Sequence, residues 1–481
     1  MHFVDIAIFA IYMTVMLGVG FLFMRSNRGG DDYFVGGRQM GAAHVGLSVV
    51  ATDVGGGFSI GLGGLGFTMG LSGSWMLFTG LVGAWLSAVL LIPHVKGNPA
   101  FANALTFPDV FRHHYGPRTA LLAGIISAVG YVGFTAAQML AGAKLAHGTF
   151  PALDMNNALW IMGTIAVLYT VMGGLKAVIY TDTIQWMVLM VGLVFIGLPV
   201  SYVAVGGWPA VVATVRPEML TLTNISWNVL VNWSVTIIPI WFVGMTLYQR
   251  IYACRDVRTA RRAWFIAGLF EWPVMAFMGV ALGLLARVAA DQGMFLHLGA
   301  ADISATDAET GLPMLLRTVL PVGLLGIVMS SYFSAILSTA DSCLMASAGN
   351  VVSDIFGYVH RLDTKSRAFV RLSQVTTLVL GLGALLLAST MTQVLDLMLY
   401  SYAFMVSGLF VPVLGALFLK RKSAAAAFWA MVVGGGATIS LQVWGHPLPL
   451  GLDPNVFGLA ASAAVFAMLT VVAPGPENAG A

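Results

Sequence analysis

Apolar residues collect into thirteen stretches separated by short polar connections, at approximate limits 3–24, 42–70, 74–93, 119–145, 158–172, 178–205, 227–250, 264–287, 313–348, 369–389, 394–419, 424–443 and 455–472. A bilayer core of about 30 Å needs about 20 such residues in a helix, so each stretch predicts a crossing. The stretches 42–70 and 313–348 exceed a straight crossing and 158–172 falls short, which predicts broken, tilted or bent elements. The first stretch, Phe3 to Met24, carries Asp5 where a signal peptide has basic residues, and Arg25 and Arg28 follow it instead of a small-residue cleavage site. It reads as a spanning helix.

Composition agrees with that pattern. Of 481 residues, 58% are hydrophobic and 9% charged, against about 25% charged in a soluble protein. With a mean hydropathy of +0.88, the chain has too little polar surface to cover a water-soluble fold. The net charge of +3, from 23 basic and 20 acidic residues, offers no field for nucleic acid. Cys254 and Cys343 are too few and too far apart for a metal cluster or a disulfide framework.

The positions of the charges say more than their sum. Alternate connections hold Arg25, Arg28 and Arg38; Lys96, Arg112 and Arg118; Lys176; Arg250, Arg255, Arg258, Arg261 and Arg262; Arg361, Lys365, Arg367 and Arg371; and Lys420, Arg421 and Lys422. The opposite set holds Lys144, Arg216, Arg287 and Arg317. Nineteen against four predicts an inner (plasma) membrane protein with its N-terminus outside and its C-terminus cytoplasmic. The longest outer connection, 288–312, with Asp291, Asp302, Asp307 and Glu309, is expected to form a rim, a lid or a solvated loop.

Asp53, Asp182, Glu271 and Asp341 fall inside apolar stretches, with Asp396 at the start of another. A carboxylate at mid-membrane costs about 2.5–3.5 kcal/mol on the most lenient scale, so each needs a partner or a task. No lysine falls deep in a stretch and the basic residues lie at the ends. A bound metal cation or protons are therefore expected to neutralise the acids.

Three segments carry the chemistry. In Ser48 to Phe58, SVVATDVGGGF, three successive glycines beside Asp53 predict an unwound helix with exposed carbonyls. In Ala335 to Ser342, AILSTADS, Ser338, Thr339, Asp341 and Ser342 form a polar stripe at helical spacing. Hydroxyls, carbonyls and carboxylates without imidazole or thiolate suit a small hard cation such as Na⁺. In Gly173 to Gln185, GGLKAVIYTDTIQ, a Gly-Gly turn is expected to join two crossings and to set Asp182 inside the second.

Other strings carry less. Gly61 to Gly66 matches GxGxxG, but no strand precedes it and no acid follows at the required distance. Gly70-Leu71-Ser72-Gly73 contains a GxSG string at an outer turn, with no histidine base in a later crossing, so no catalytic set is expected.

The three chemical segments together resemble the sodium:solute symporter family. GGLKAVIYTDTIQ is similar to its signature and SAILSTADSCLMAS to its ion-binding helix, and the likeness runs from about Asp32, in DYFVGGR, to Arg421. The resemblance implies an all-α LeuT-type fold, a pair of inverted five-helix repeats with broken first and sixth core helices. The division would be 1–41 for an extra helix and cytoplasmic loop, 42–205 for the first repeat, 206–226 for an outer connection, 227–419 for the second repeat, and 420–481 for a final helix pair and short tail. The second broken helix would be 227–250, where Pro239 removes a backbone bond.

It also implies Na⁺ on the carbonyls of Ala51, Val54 and Ala335 and the hydroxyls of Ser338 and Thr339. A second sodium would use Asp182, Ser338, Asp341 and Ser342, where Asp341 replaces a serine of another member and would strengthen cation binding or admit a proton. Substrate would meet Asp53, Phe58, Trp241, Glu271 and Tyr400. The sugar branch has lysine and glutamine at the positions of Glu271 and Phe58, and the choline branch an aromatic residue at that of Asp53. The proline branch keeps an acid there. The implied function is Na⁺-coupled import of a small organic solute, zwitterionic or cationic, by a lipid-embedded chain whose fold is competent as a monomer. The alternatives are sugar or carboxylate symport, or a transporter-like sensor without transport.

Overall fold

The computed structural model describes residues 2–24, 34–53, 55–150, 153–298, 307–360, 363 and 366–472. Its main helices are α1 (Phe3–Met24), α2 (Ala42–Asp53), α3 (Gly56–Met69), α4 (Trp75–Leu90), α5 (Pro117–Thr149), α6 (Met155–Met190), α7 (Trp227–Val243) and α8 (Met245–Ala253). They continue as α9 (Val257–Leu269), α10 (Ala276–Asp291), α11 (Ala308–Val319), α12 (Leu324–Gly349), α13 (Arg367–Ala388), α14 (Val394–Phe418), α15 (Ala424–Trp444) and α16 (Pro454–Val472). Large apolar side chains such as Phe195, Val203, Leu386, Val443 and Val471 point outward, as lipid requires and water would not allow at this density.

Among the described residues, ten helical stretches are long and apolar enough to cross a membrane, or eleven when α7 and α8 count as one bent span. This is fewer than the thirteen expected. Helices α3 and α4 follow each other within one 38-residue apolar stretch, Ser59–Lys96, and α1 and α2 contribute the apolar pieces Phe3–Met16 and Ala42–Thr52.

Helix α12 is the axis of the molecule. All its residues except Leu324 and Ile327 are buried, and it packs on α1, α2, α3, α5, α6 and α8. Small residues allow the approach: a Cβ at Gly142 of α5 would lie 3.3 Å from the Phe333 ring, and Ser347 Oγ donates to Ala128 O across the same seam at 2.9 Å. Asp5 of α1 takes the amides of Gly323 and Gly326 at 2.7 and 2.9 Å. A carboxylate there satisfies open donors at the helix N-terminus and complements its dipole.

One expectation about breaks is corrected. The second broken helix does not part at Pro239, which sits inside α7. It bends by 41° at Gly244, whose extended ψ of 114° ends one helix and starts the next. Tyr131 of α5 stabilises that bend, because its hydroxyl accepts from Thr246 N at 3.2 Å and so supplies a partner missing at a new helix start. The expected Gly173–Gly174 turn lies between the separate apolar spans Met155–Met172 and Gln185–Ala204, and Thr170 and Asp182, on either side of it, both reach α12 within one helical turn, at Asp341 and Ser338.

Candidate ion and substrate site

The first broken helix supplies the site. Helix α2 ends at Asp53, and Gly55 restarts the chain with an extended ψ of −170° ahead of α3. The last carbonyls of α2 therefore lose their helical partners. One of them, Ala51 O, accepts from Thr339 Oγ1 of α12 at 3.1 Å, and the same hydroxyl lies 3.1 Å from Ala335 O. Gly55 makes this approach feasible, since a Cβ there would fall 1.5 Å from Thr339 Oγ1. Beside the contact lies a gap too narrow to admit a water molecule, lined by Ala51, Gly55, Gln185, Trp186, Ala335 and Ser338 among others. Of the five residues that the sequence nominates for sodium, Ala51, Ala335, Ser338 and Thr339 thus meet here, and Val54 lies outside the described residues.

One turn further along α2 and α12 is a second polar junction. Asp182 of α6, fully buried, accepts from Ser48 Oγ at 2.6 Å and from Ser338 Oγ. It also faces Arg250 Nη2 at 3.2 Å, both side chains being fully enclosed. Arg250 of α8 donates to Ser48 Oγ at 3.0 Å, to Ser342 Oγ at 2.8 Å, to Thr246 O at 3.2 Å and to Thr52 Oγ1. One guanidinium thereby ties α2, α6, α8 and α12 together.

This corrects the expectation that basic residues stay at the ends. Arg250 belongs to a loop by charge counting, yet α8 carries it into the core, where Asp182 gains a protein counter-ion. Lys144 is also buried, with Nζ 2.5 Å from Asp307 and 2.6 Å from Glu309. Among the described residues no ion pair reaches Asp341, whose carboxylate accepts from Thr170 Oγ1.

The nominated substrate residues divide. The side chains of Asp53 and Phe58 lie outside the described residues. Trp241 is fully buried and packs edge-on against Trp264 at 6.4 Å. A Cβ at Gly83 would be 2.4 Å from its ring, so Gly83 of α4 makes room for it. Glu271, also fully buried, sits on the irregular turn Phe270–Met275 between α9 and α10. It uses space left by Gly80, where a Cβ would lie 1.9 Å from Oε1. Tyr400 is 42% exposed and lines a separate cavity with Asp396. Sequence reasoning missed Gln185 and Trp186, which line the gap; Gln185 ends the segment that supplies Asp182 and Trp186 follows it, and that adjacency was the available signal.

The match to known proteins decides the family, because residues 33–434 fit the sodium:solute symporter family throughout. The chain belongs to that family. Similar curated proteins include the high-affinity proline transporter PutP of Bacillus subtilis (strain 168), 26% identical over 96% of this chain and 97% of that one. The sodium/proline symporter of Escherichia coli (strain K12) is 26% identical over 98% and 93%. Among solved structures, a Na⁺-coupled sialic acid symporter in a substrate-bound outward-open state aligns with a TM-score of 0.82 at 20% identity, over 99% of both chains. Mhp1, a nucleobase-cation-symport-1 family transporter, aligns with a TM-score of 0.59 at 13% identity, over 90% of this chain and 94% of that one. These likenesses fix the fold of this family member as the all-α, LeuT-type transporter fold.

Proposed function

We propose that this symporter uses an inward Na⁺ gradient to import a small zwitterionic solute, an amino acid of about the size of proline, by alternating access. The observation that carries the reading is the hydroxyl of Thr339 held against the orphan carbonyl of Ala51 across the helix break. Na⁺ takes over that contact, drawing on the carbonyls of Ala51, Val54 and Ala335 and the hydroxyls of Ser338 and Thr339, and so couples α2 to α12. Proline symporters among the relatives favour an amino acid over the cationic, sugar and carboxylate alternatives. Asp53, Phe58, Trp241 and Glu271 are assigned to the solute.

Arg250 gives the inner side its own role. Its guanidinium closes the path between α2, α6, α8 and α12, so inward release requires some of those bonds to part. A second Na⁺ on Asp182 would compete with Arg250 for the same oxygens, whereas Asp341 offers a buried carboxylate free of that competition. We assign any second cation, or a proton, to Asp341. The membrane orientation follows the basic residues, with the N-terminus outside and the C-terminus cytoplasmic.

The energetics suffice. At about 150 mV one inward charge releases ~3.5 kcal/mol and a tenfold Na⁺ gradient adds ~1.4 kcal/mol, which supports roughly a thousandfold accumulation of a neutral solute. Uptake into proteoliposomes of proline, other amino acids, quaternary amines, carboxylates and sugars, with Na⁺ or K⁺ outside, tests the reading. Concentrative, Na⁺-dependent uptake of an amino acid is expected. Uptake indifferent to Na⁺, or selective for a sugar, would overturn it.

A further inference from the structure

A second cavity lies at the end of the bundle opposite Lys420–Lys422, where α15 ends and α16 begins. It has a volume of ≈ 400 Å³ and lies between α7, α14, α15 and α16, in the size range of small-molecule sites. Its chemistry is one-sided. Asp396 and Tyr400 come from consecutive turns of α14, Gln442 from the end of α15, and His446 and Asp453 from the following loop. Asp453 is held above the usual carboxylate range by burial and by Asp396. Lys144, whose charge acts on Asp396, is already engaged by Asp307 and Glu309.

The decisive group is Asn455. Its side chain is fully buried and lines the cavity. The amide nitrogen donates to Thr236 Oγ1 of α7 at 2.8 Å, which fixes the orientation of the amide, while the side-chain carbonyl has no hydrogen-bond partner among the described residues. A buried acceptor left unpaired costs about 1–3 kcal/mol, so a donor from an occupant would be welcome there. The paired carboxylates ask for positive charge, the Asn455 carbonyl for an N–H, and Tyr400 offers an aromatic face to a cation.

We propose that this cavity is an accessory site for a small organic cation bearing N–H donors, a primary amine or a guanidinium, distinct from the site at the helix break. The cation sits between Asp396 and Asp453 and donates to Asn455. Its wall is also tied to α7 through Asn232, which accepts from Asp453 N at 3.0 Å and donates to Gly451 O at 3.2 Å. Occupancy is therefore felt by the helix that bends at Gly244.

Equilibrium dialysis of radiolabelled methylguanidinium against the full-length protein in lipid nanodiscs, in sodium-free potassium buffer, tests this. One saturable site per chain is expected. Asp453→Asn and Asp396→Asn, each checked for an unchanged melting profile, should weaken it about tenfold, and Thr339→Ala should leave it unchanged. Absence of saturable binding, affinity unchanged from the parent in both aspartate variants, loss in Thr339→Ala, or equal displacement by tetramethylammonium or by NaCl would each overturn the proposal.

Discussion

Two buried ionic junctions close this molecule, named inner and outer after the orientation proposed above, and they are built differently. At the inner junction every contact between helices is made by side chains: Arg250 meets Asp182, Ser48, Thr52 and Ser342 from three other helices, with no exposure of either charge. At the outer junction the acids are also helix caps. Asp307 accepts from Glu309 N at 3.0 Å at the start of α11, and Glu309 takes the amides of Val394 and Leu395 at the start of α14, both at 2.9 Å. Lys144 neutralises acids that already have backbone partners, and Asp307 keeps a third of its side chain in contact with solvent. Side-chain bonds between four helices can exchange partners when the helices tilt, whereas caps stay with their helix termini. The inner junction is suited to opening, the outer to holding.

The largest effect should follow from unbalancing the inner pair. Arg250→Met leaves Asp182 buried without its counter-ion, an arrangement that costs about 3–5 kcal/mol. Transport should be lost and the melting temperature of the purified protein should fall. Arg250→Met combined with Asp182→Leu should recover the stability but not the transport. If the single variant melts like the parent, the pair is not the closure described here.

A smaller loss is expected at the helix break. Gly55→Ala drives a methyl group into Thr339 Oγ1, with a penalty of about 1–3 kcal/mol and a raised Na⁺ requirement for uptake. Adding Thr339→Ala should relieve the stability loss while leaving the Na⁺ requirement high. Thermal melts in the presence and absence of Na⁺ separate the two effects.

The outer junction should be more forgiving. Lys144→Met leaves Glu309 with its backbone donors and Asp307 with water, so about 1–2 kcal/mol of stability and part of the transport rate should be lost. A loss as large as that of Arg250→Met would erase the contrast between the junctions. Least of all should come from Asp291→Asn, which breaks a rim pair with Arg287 one turn away at 2.9 Å. Such i,i+4 pairs are worth about 0.3–0.5 kcal/mol, and uptake should be unchanged.

Much of this arrangement was legible in the sequence. The glycine run after Asp53 announced the break, and the spacing of Ser338, Thr339, Asp341 and Ser342 announced the polar face of α12. Arg250 was not legible as a core residue, because charge counting cannot distinguish an arginine in a loop from one that a bent helix returns to the interior. The bend itself was placed at Pro239, whereas a helix tolerates proline when its neighbours pack, and Gly244 together with Tyr131 provides the break. Tyr400 went to the separate cavity because helical periodicity gives the face of α14 but not the depth along it.

The central claim is that Thr339 and Ser338 stand where Na⁺ couples α2 to α12. It is tested most directly by the Na⁺ concentration for half-maximal proline uptake in proteoliposomes containing Ser338→Ala with Thr339→Ala. Losing two hydroxyl ligands should raise that concentration at least about tenfold, while uptake at saturating Na⁺ remains measurable. An unchanged Na⁺ dependence would contradict the account.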